Sequence, residues 1–354
     1  MTSARKARVG HAYQPNVCLI TLIGRAAVDH VVQVTFPSGG PRRAACHRAS
    51  CVERFRPWRR SGTLPRRDFQ WYAEGGIRVR DNDQVSYPDQ EARPNRRPVA
   101  ADETSRASRH WWDGAADAYQ AEHGDFLGDA RFIWGPEGLD EAWAGLLGDV
   151  DGVRVLEIGC GAGQCGRWLV TRGAAAIGLE LSGRQLAHSR ELDARSGVRL
   201  PVVQADATNL PFAAGSFELV CSAYGAMPFV ADAGAVLAEV ARVLRPGGRF
   251  VFSVSHPIRW CFLDEPGEEG LYAVSSYFDR RPYVEEDAQG RAVYVEHHRT
   301  VGDWVRLITG AGFHLTDLVE PEWTAGNENV WGGWSPRRGD IIPGTAIFTA
   351  TLPS

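Results

Sequence analysis

Residues 157–166, EIGCGAGQCG, place one carboxylate and four glycines where a short apolar run, VRVLEI, gives way to a helical stretch. Glycines at a strand-to-helix turn let the backbone approach a ligand closely, so the segment reads as a nucleotide loop. It can be read in two registers. From Gly161, Gly163 and Gly166 it satisfies G-x-G-x-x-G, with Glu180 about 20 residues on, where a dinucleotide enzyme carries its ribose acid. That register implies an NAD-dependent oxidoreductase. From Glu157, Gly159, Gly161 and Gly163 it reads E-x-G-x-G-x-G. Glu157 then ends the strand, where a nearby pyrophosphate would be repelled and a cationic cofactor bearing an ammonium would not.

The elements that must position these residues follow from periodicity. Apolar runs at 153–158, 175–181, 200–206 and 217–223 read as strands, and RFVFSVS after Pro246, Gly247 and Gly248 reads as a fifth. Helical spacing covers 164–172 and 233–244. Ser182 with Gln185 predicts a capping box opening a further helix, and Thr300 with Asp303 caps another. FHLTDLVE and GTAIFTATL supply two closing strands. Strands alternating with helices predict a doubly wound α/β domain with a parallel sheet, whose ligand lies at the carboxyl ends of the strands. Glu157, Glu180 and Asp206 each end a strand in this scheme. Asp206 is placed to accept a hydrogen bond from an adenine amino group.

Glu157 with its three glycines, Glu180, Asp206 in QADATNLPF, and EVARVLRPGGRFVFS at 239–253 together resemble the class I S-adenosylmethionine-dependent methyltransferases, bacterial small-molecule members in particular. The resemblance spans roughly Ser108 to the C-terminus. It implies a Rossmann-like, doubly wound seven-stranded sheet closed by a C-terminal antiparallel strand pair. It also implies S-adenosylmethionine as cofactor, with Gly159, Gly161 and Gly163 against the methionine moiety, Glu157 near the ammonium, Glu180 on the ribose, and Asp206 with Ala207 at the adenine. Cys160, Leu181, Ser222 and Tyr119 complete the expected cofactor set. The chain departs from the family after the fourth strand. CSAYGAMPF carries neither the Asn-Pro-Pro-Tyr of amino-group methylation of bases or glutamine nor the Pro-Cys nucleophile of cytosine C5 chemistry, which argues against both. A noncatalytic S-adenosylmethionine-binding module would keep the same acids without an acceptor pocket.

Methyl transfer is an in-line displacement, and a base is needed only where the acceptor must lose a proton. Candidates are Tyr224, His256, His297 and His298. The plainer readings are a pocket wall for Tyr224, a turn cap before proline for His256, and a histidine pair with one packed and one solvated member. Trp111, Trp112 and Tyr119 either close over the cofactor or pack the first helix. The excursion 256–299 and PEWTAGNENVWGGWSP are rich in aromatics, as a lid or substrate wall would be, or a hydrophobic cluster beneath a long loop.

Charge divides the chain. Residues 1–105 carry 18 Arg plus Lys against 10 Asp plus Glu, and residues 106–354 carry 21 against 33. The acidic part disfavours nucleic acid as partner. Seven cysteines without C-x-x-C or zinc-ligand spacing suggest reduced thiols in the cytoplasm and no metal. No apolar run is long enough for a membrane span. Residues 1–105, apart from a possible hairpin of CLITLIG with VDHVVQVTF, read as a disordered Arg/Pro-rich leader. Alternatively, they are upstream DNA read as protein, since one lysine among 38 arginines suggests GC-rich coding and a start near Val99 would leave a complete domain at 106–354. Oligomeric state is not legible.

Overall fold

The computed structural model describes residues 93–354, together with two short strands upstream, β1 (Ile20–Leu22) and β2 (Val32–Val34). Contacts divide the chain into two units, Met1–Gly76 and Ile77–Ser354. In the first, β1 and β2 pair antiparallel with Ile20 opposite Val34, the hairpin implied by their alternating residues. The rest of the expected leader up to residue 92, with Cys18, Cys46 and Cys51, lies outside the described residues.

The second unit begins with β3 (Arg93–Arg96), α1 (Ala101–Leu127) and the one-turn α2 (Glu141–Ala144). Then β4 (Arg154–Ile158), α3 (Gln164–Thr171), β5 (Ala175–Glu180), α4 (Gly183–Ser196) and β6 (Val202–Gln204) alternate. They are followed by β7 (Phe217–Ser222), α5 (Ala233–Val243) and β8 (Leu244–Ser255). A hairpin, β9 (Tyr283–Glu286) and β10 (Ala292–Glu296), precedes α6 (Val301–Gly310), β11 (His314–Val319), α7 (Pro336–Gly339) and β12 (Thr345–Thr351).

Seven strands form one sheet in the order β11-β12-β8-β7-β4-β5-β6. β8, β7, β4, β5 and β6 run parallel, and β12 is antiparallel to both β8 and β11. This is the Rossmann-like sheet with a closing antiparallel pair. The chain leaves β4 toward β5 and β6, then crosses back to β7 and β8, so the strand order reverses beside β4, where the crevice of such a sheet opens. Both faces are covered, which is why the strands read as continuous apolar runs. On one face Leu156, Val220, Phe250 and Phe252 pack against Val236, Val240, Trp304 and Ile308 of α5 and α6. On the other, Val155, Leu219 and Val251 meet Leu169, Leu200 and Phe132.

Four expectations need correction. Ser182 accepts the Gln185 N–H at 3.1 Å, but the Gln185 side chain accepts from Gln120 instead of completing the box, whereas Thr300 and Asp303 form both halves of theirs. Pro246-Gly247-Gly248 does not separate helix from strand. β8 starts at Leu244 opposite Phe217, and residues 245–248 bulge before Arg249 pairs with Leu219, with Gly247 at φ 74°. The folded body also begins upstream of residue 106. β3 pairs with β9 in a second sheet, β10-β9-β3, so the excursion 256–299 holds a hairpin that residues of the supposed leader complete. A chain starting near Val99 would lack that strand, and α1, which starts at Ala101, packs Ala107 against Val284 and Val295 of the hairpin. No helix among the described residues is long and apolar enough to cross a membrane.

Candidate functional site

The loop after β4 turns on three glycines with positive φ: 67° at Gly159, 53° at Gly161 and 78° at Gly163. They serve different ends. A Cβ on Gly159 would stand 2.6 Å from Ala226 Cβ, because the segment after β7 crosses it, and one on Gly163 would stand 2.7 Å from Leu200 Cδ2. At Gly161 the nearest atom is Gln185 Oε1 at 3.9 Å, so the open side of the loop is there. Gly166, on the first turn of α3, is not an ordinary helical residue. A Cβ at Gly166 would meet Leu200 Cδ2 at 2.5 Å and Glu157 Oε2 at 2.7 Å, so this glycine makes room for the carboxylate.

Three carboxylates stand at the carboxyl ends of adjacent parallel strands, each in a different condition. Glu157, at the end of β4, is 3% exposed, and its Oε2 has no hydrogen-bond partner among the described residues. Burial pushes its pKa up to about 8, against the opposing pull of Arg167 and the Gly166 N–H. Glu180, ending β5, accepts from Leu181 N–H and Ser182 N–H on Oε1, both at 2.8 Å, and from Gly161 N–H on Oε2 at 3.0 Å. Burial raises its pKa too, opposed by those bonds. Asp206, beyond β6, accepts from Thr208 N–H and Oγ1 on Oδ1 at 2.9 and 2.7 Å, and from Ser105 Oγ on Oδ2 at 2.7 Å. Burial works against ionisation, but these bonds hold it below the ordinary aspartate range. A carboxylate has about four lone-pair sites, so Glu180 and Asp206 each keep one. Glu180 can therefore accept one ribose hydroxyl, not both, unless it releases a loop N–H.

Helix α1 lies over these strand ends. Besides Ser105 on Asp206, Asp113 accepts from Ser182 Oγ at 2.6 Å, Asp117 pairs with Arg184 and His188, and Gln120 bridges Gln164 and Gln185. Its aromatic face continues into the insertion and the C-terminal segment. Trp111 meets Tyr294 at 4.9 Å, Trp112 meets Tyr119 and Phe229 at 5.5 Å, and Tyr119 meets Trp331 at 5.9 Å. Trp331 stacks on His123 at 4.2 Å and meets Tyr224 at 5.9 Å. Cys160 is buried with its thiol held up by burial, its Sγ 3.7 Å from Gly161 O. Leu181 lends its carbonyl to Gln204, Ala207 is part of the core, and Ser222 Oγ is buried without a partner among the described residues.

The expected bases fare differently. Tyr224 adopts φ 62°, the only positive φ at a non-glycine among the described residues, and its N–H donates to Ser253 Oγ at 2.7 Å. Strain of this kind collects at functional turns. Burial pushes the phenol well above its usual range, which argues against Tyr224 as a base. His256 caps a turn through Nδ1, which accepts the Ile258 N–H at 3.1 Å, and Nε2 therefore carries the proton donated to Glu320 Oε1 at 2.7 Å. With both nitrogens engaged it has no lone pair for a substrate proton. His298 donates Nε2–H to Tyr277 O at 2.7 Å and lines a cavity of about 360 Å³ with Arg280, Arg299, Asp303, Arg306 and Leu307, apart from the three acids. His297, only half-buried, bonds Thr104 Oγ1 at 3.1 Å, and burial pulls its pKa down to about 4, whereas His298 is the packed member of the pair.

Sequence reasoning missed Glu137 because it precedes the sheet in a Gly-Pro-Glu-Gly stretch with no motif. It is 1% exposed, accepts from Thr345 Oγ1 at 2.7 Å, and leaves Oε1 without a partner among the described residues. Burial pushes its pKa up to about 7, and it is close enough to act on the Tyr224 phenol. Arg167, also missed, is fully buried beneath the loop. It donates to Ala162 O and Asp129 O and pairs with Asp193 at 2.9 Å. Only the unusual arginine in QCGRWLV hinted at it.

Similarity to known proteins bears on which register this site uses. A family model described as a methyltransferase domain matches residues 156–252, from β4 into β8. A demethylmenaquinone methyltransferase of Parafrankia sp. is 30% identical over 201 residues, covering 48% of this chain and 78% of the relative. Another, from Beutenbergia cavernae, is 29% identical over 201 residues, covering 55% and 78%. A solved S-adenosylmethionine-dependent methyltransferase from Mesorhizobium loti is 28% identical with a TM-score of 0.48, over 61% of this chain and 100% of that one. The loop is thus a methyltransferase loop and not a dinucleotide fingerprint, and the chain belongs to the S-adenosylmethionine-dependent methyltransferases.

Proposed function

We propose that this enzyme transfers the methyl group of S-adenosylmethionine to a small molecule with a flat ring, held between α1, the insertion 256–299 and the Trp331 segment. The observation that carries the reading is the row of Glu157, Glu180 and Asp206 at three adjacent strand ends around the open side of Gly161. The residues suit the cofactor. The unpartnered Glu157 Oε2 and Ser222 Oγ are polar groups an amino-acid moiety would satisfy, and Glu180 and Asp206 keep lone pairs for one ribose hydroxyl and the adenine amino group. Cys160, Leu181, Ala207 and Tyr119 would contribute walls. When bound, S-adenosylmethionine supplies an electrophilic methyl whose transfer releases a neutral thioether.

The chain's own part is positioning and exclusion of water. The aromatic face of α1 closes the strand ends, and Tyr224, strained at the turn beside Gly159, offers a neutral hydroxyl. Glu137 replaces the histidines as the candidate proton acceptor, since a carboxyl with pKa near 7 is matched to that task. Relatives are named for demethylmenaquinone and tocopherol, which fits a small acceptor. The acidic described part opposes nucleic acid as acceptor, and the free buried cysteines Cys160, Cys165, Cys221 and Cys261 fit a cytoplasmic setting.

Titration calorimetry with S-adenosylmethionine, S-adenosylhomocysteine and NADH tests the cofactor, and release of S-adenosylhomocysteine across phenols, amines and carboxylic acids tests the transfer. Binding of S-adenosylhomocysteine without NADH is expected. NADH binding alone would overturn the proposal.

A further inference from the structure

Arginines in this protein usually spend the edge formed by Nε and Nη2 on a carboxylate. Arg184 does so with Asp117, Arg242 with Glu239 and Arg280 with Asp303, each in two parallel bonds. That fork is the geometry by which guanidinium recognises planar anions. Arg338 on α7 does not spend its edge in this way. It is 0% exposed, and its Nε and Nη2 have no hydrogen-bond partner among the described residues.

The rest of the side chain is firmly held. Nη1 donates to Gly333 O at 2.7 Å, and the guanidinium lies over the Trp334 ring at 4.3 Å. The nearest carboxylate, Asp264, is 3.8 Å from Nη1, is itself 59% exposed, and also pairs with Arg259 at 3.4 Å. The neighbouring Arg259 has its charge matched by Glu296, at 2.8 and 3.0 Å. Arg338 is therefore a buried cation, fixed in place, with its binding edge unspent. Burying such a group unpaired is costly, and the cost is offset when an anion completes the fork.

Its surroundings tie it to the acceptor side of the site. Trp334, beneath the Arg338 guanidinium, is bridged to Trp331, which meets Tyr224 at 5.9 Å. We infer that the methyl acceptor carries a carboxylate, and that the Nε–Nη2 edge of Arg338 binds it. This rests on the methyltransferase reading above and narrows its substrate class.

The test uses the full chain saturated with S-adenosylhomocysteine, titrated calorimetrically with benzoate, hydroxybenzoate and their methyl esters. The acids should bind about tenfold or more tightly than the esters, because the esters cannot accept both parallel bonds. Arg338→Met, and Arg338→Lys, which keeps the charge without the fork, should each lose about tenfold or more in acid affinity while S-adenosylhomocysteine affinity stays within about twofold. Equal binding of acid and ester, or no binding of either, overturns the inference. So does a loss of S-adenosylhomocysteine affinity in both variants with methylthioadenosine binding unchanged, which would assign the fork to the cofactor's own carboxylate. Wild-type protein that binds no S-adenosylhomocysteine would instead refute the methyltransferase site. If Arg338→Met does not fold, Arg338→Lys carries the comparison.

Discussion

Replacing Glu157 by glutamine tests the burial argument and the cofactor argument together. The carboxyl is almost fully enclosed, and burial displaces its pKa from the ordinary 4.5 to about 8. Between those values the folded chain holds a proton that the unfolded chain has released. Its contribution to stability is therefore complete below about pH 4.5 and is lost as pH rises through about 8. At about 1.4 kcal/mol per unit, the loss amounts to about 3 kcal/mol by neutral pH and about 5 kcal/mol above the folded value. Glutamine has nearly the same volume and does not ionise, so E157Q should be the more stable protein at alkaline pH, by about 2–4 kcal/mol, with a flatter decline on the way. Urea unfolding followed by tryptophan fluorescence at mildly acidic, neutral and alkaline pH measures this. Glu137 leaves a residual slope in both proteins, ending near pH 7. The same substitution should weaken S-adenosylhomocysteine binding by about tenfold, the usual scale of a lost charge-assisted contact. Parallel pH profiles of wild type and E157Q would refute the desolvation reasoning, and an unchanged affinity would remove Glu157 from cofactor recognition.

Asp206→Ala and Glu180→Ala should each weaken S-adenosylhomocysteine binding by about tenfold or more in calorimetry, because each removes a carboxylate acceptor; unchanged affinity in both would mean the pocket lies elsewhere. Gly166→Ala should lower the unfolding temperature, since a Cβ placed 2.5 Å from Leu200 and 2.7 Å from Glu157 overpacks the core by about 1–3 kcal/mol, against about 1 kcal/mol gained from helix propensity. A rise in melting temperature would show that Leu200 moves aside freely. For an acceptor that must lose a proton, the rate of methyl transfer should climb with pH through about 7 as Glu137 ionises, and Glu137→Gln should abolish that limb. A limb that persists in the variant would assign the proton to another group.

The sheet and the cofactor loop were legible in the sequence because their signals are local. A buried parallel strand is a continuous apolar run, a tight loop needs glycine at positive φ, and the acids of β4, β5 and β6 follow from where each strand stops. The capping box at Thr300 and the closing strand pair came through for the same reason. The helix-to-strand junction at Pro246 did not, since a bulge that keeps Leu244 paired with Phe217 depends on the neighbouring strand.

The contacts around the proposed acceptor side depend on tertiary structure. Ser105 reaches Asp206 across 101 residues and Thr345 reaches Glu137 across 208, so no window of sequence contains either pair. The small sheet of β3, β9 and β10 joins two stretches that read separately as leader and insertion. Whether a titratable group is a base depends on its desolvation and on which lone pairs its neighbours use. Those contacts removed His256 and the Tyr224 phenol from that role and brought forward Glu137. Residue types alone put three carboxylates at the ends of neighbouring strands. The packing that surrounds each side chain decided which carboxylates are charged, which arginine is left with an open fork, and so what the site is able to hold.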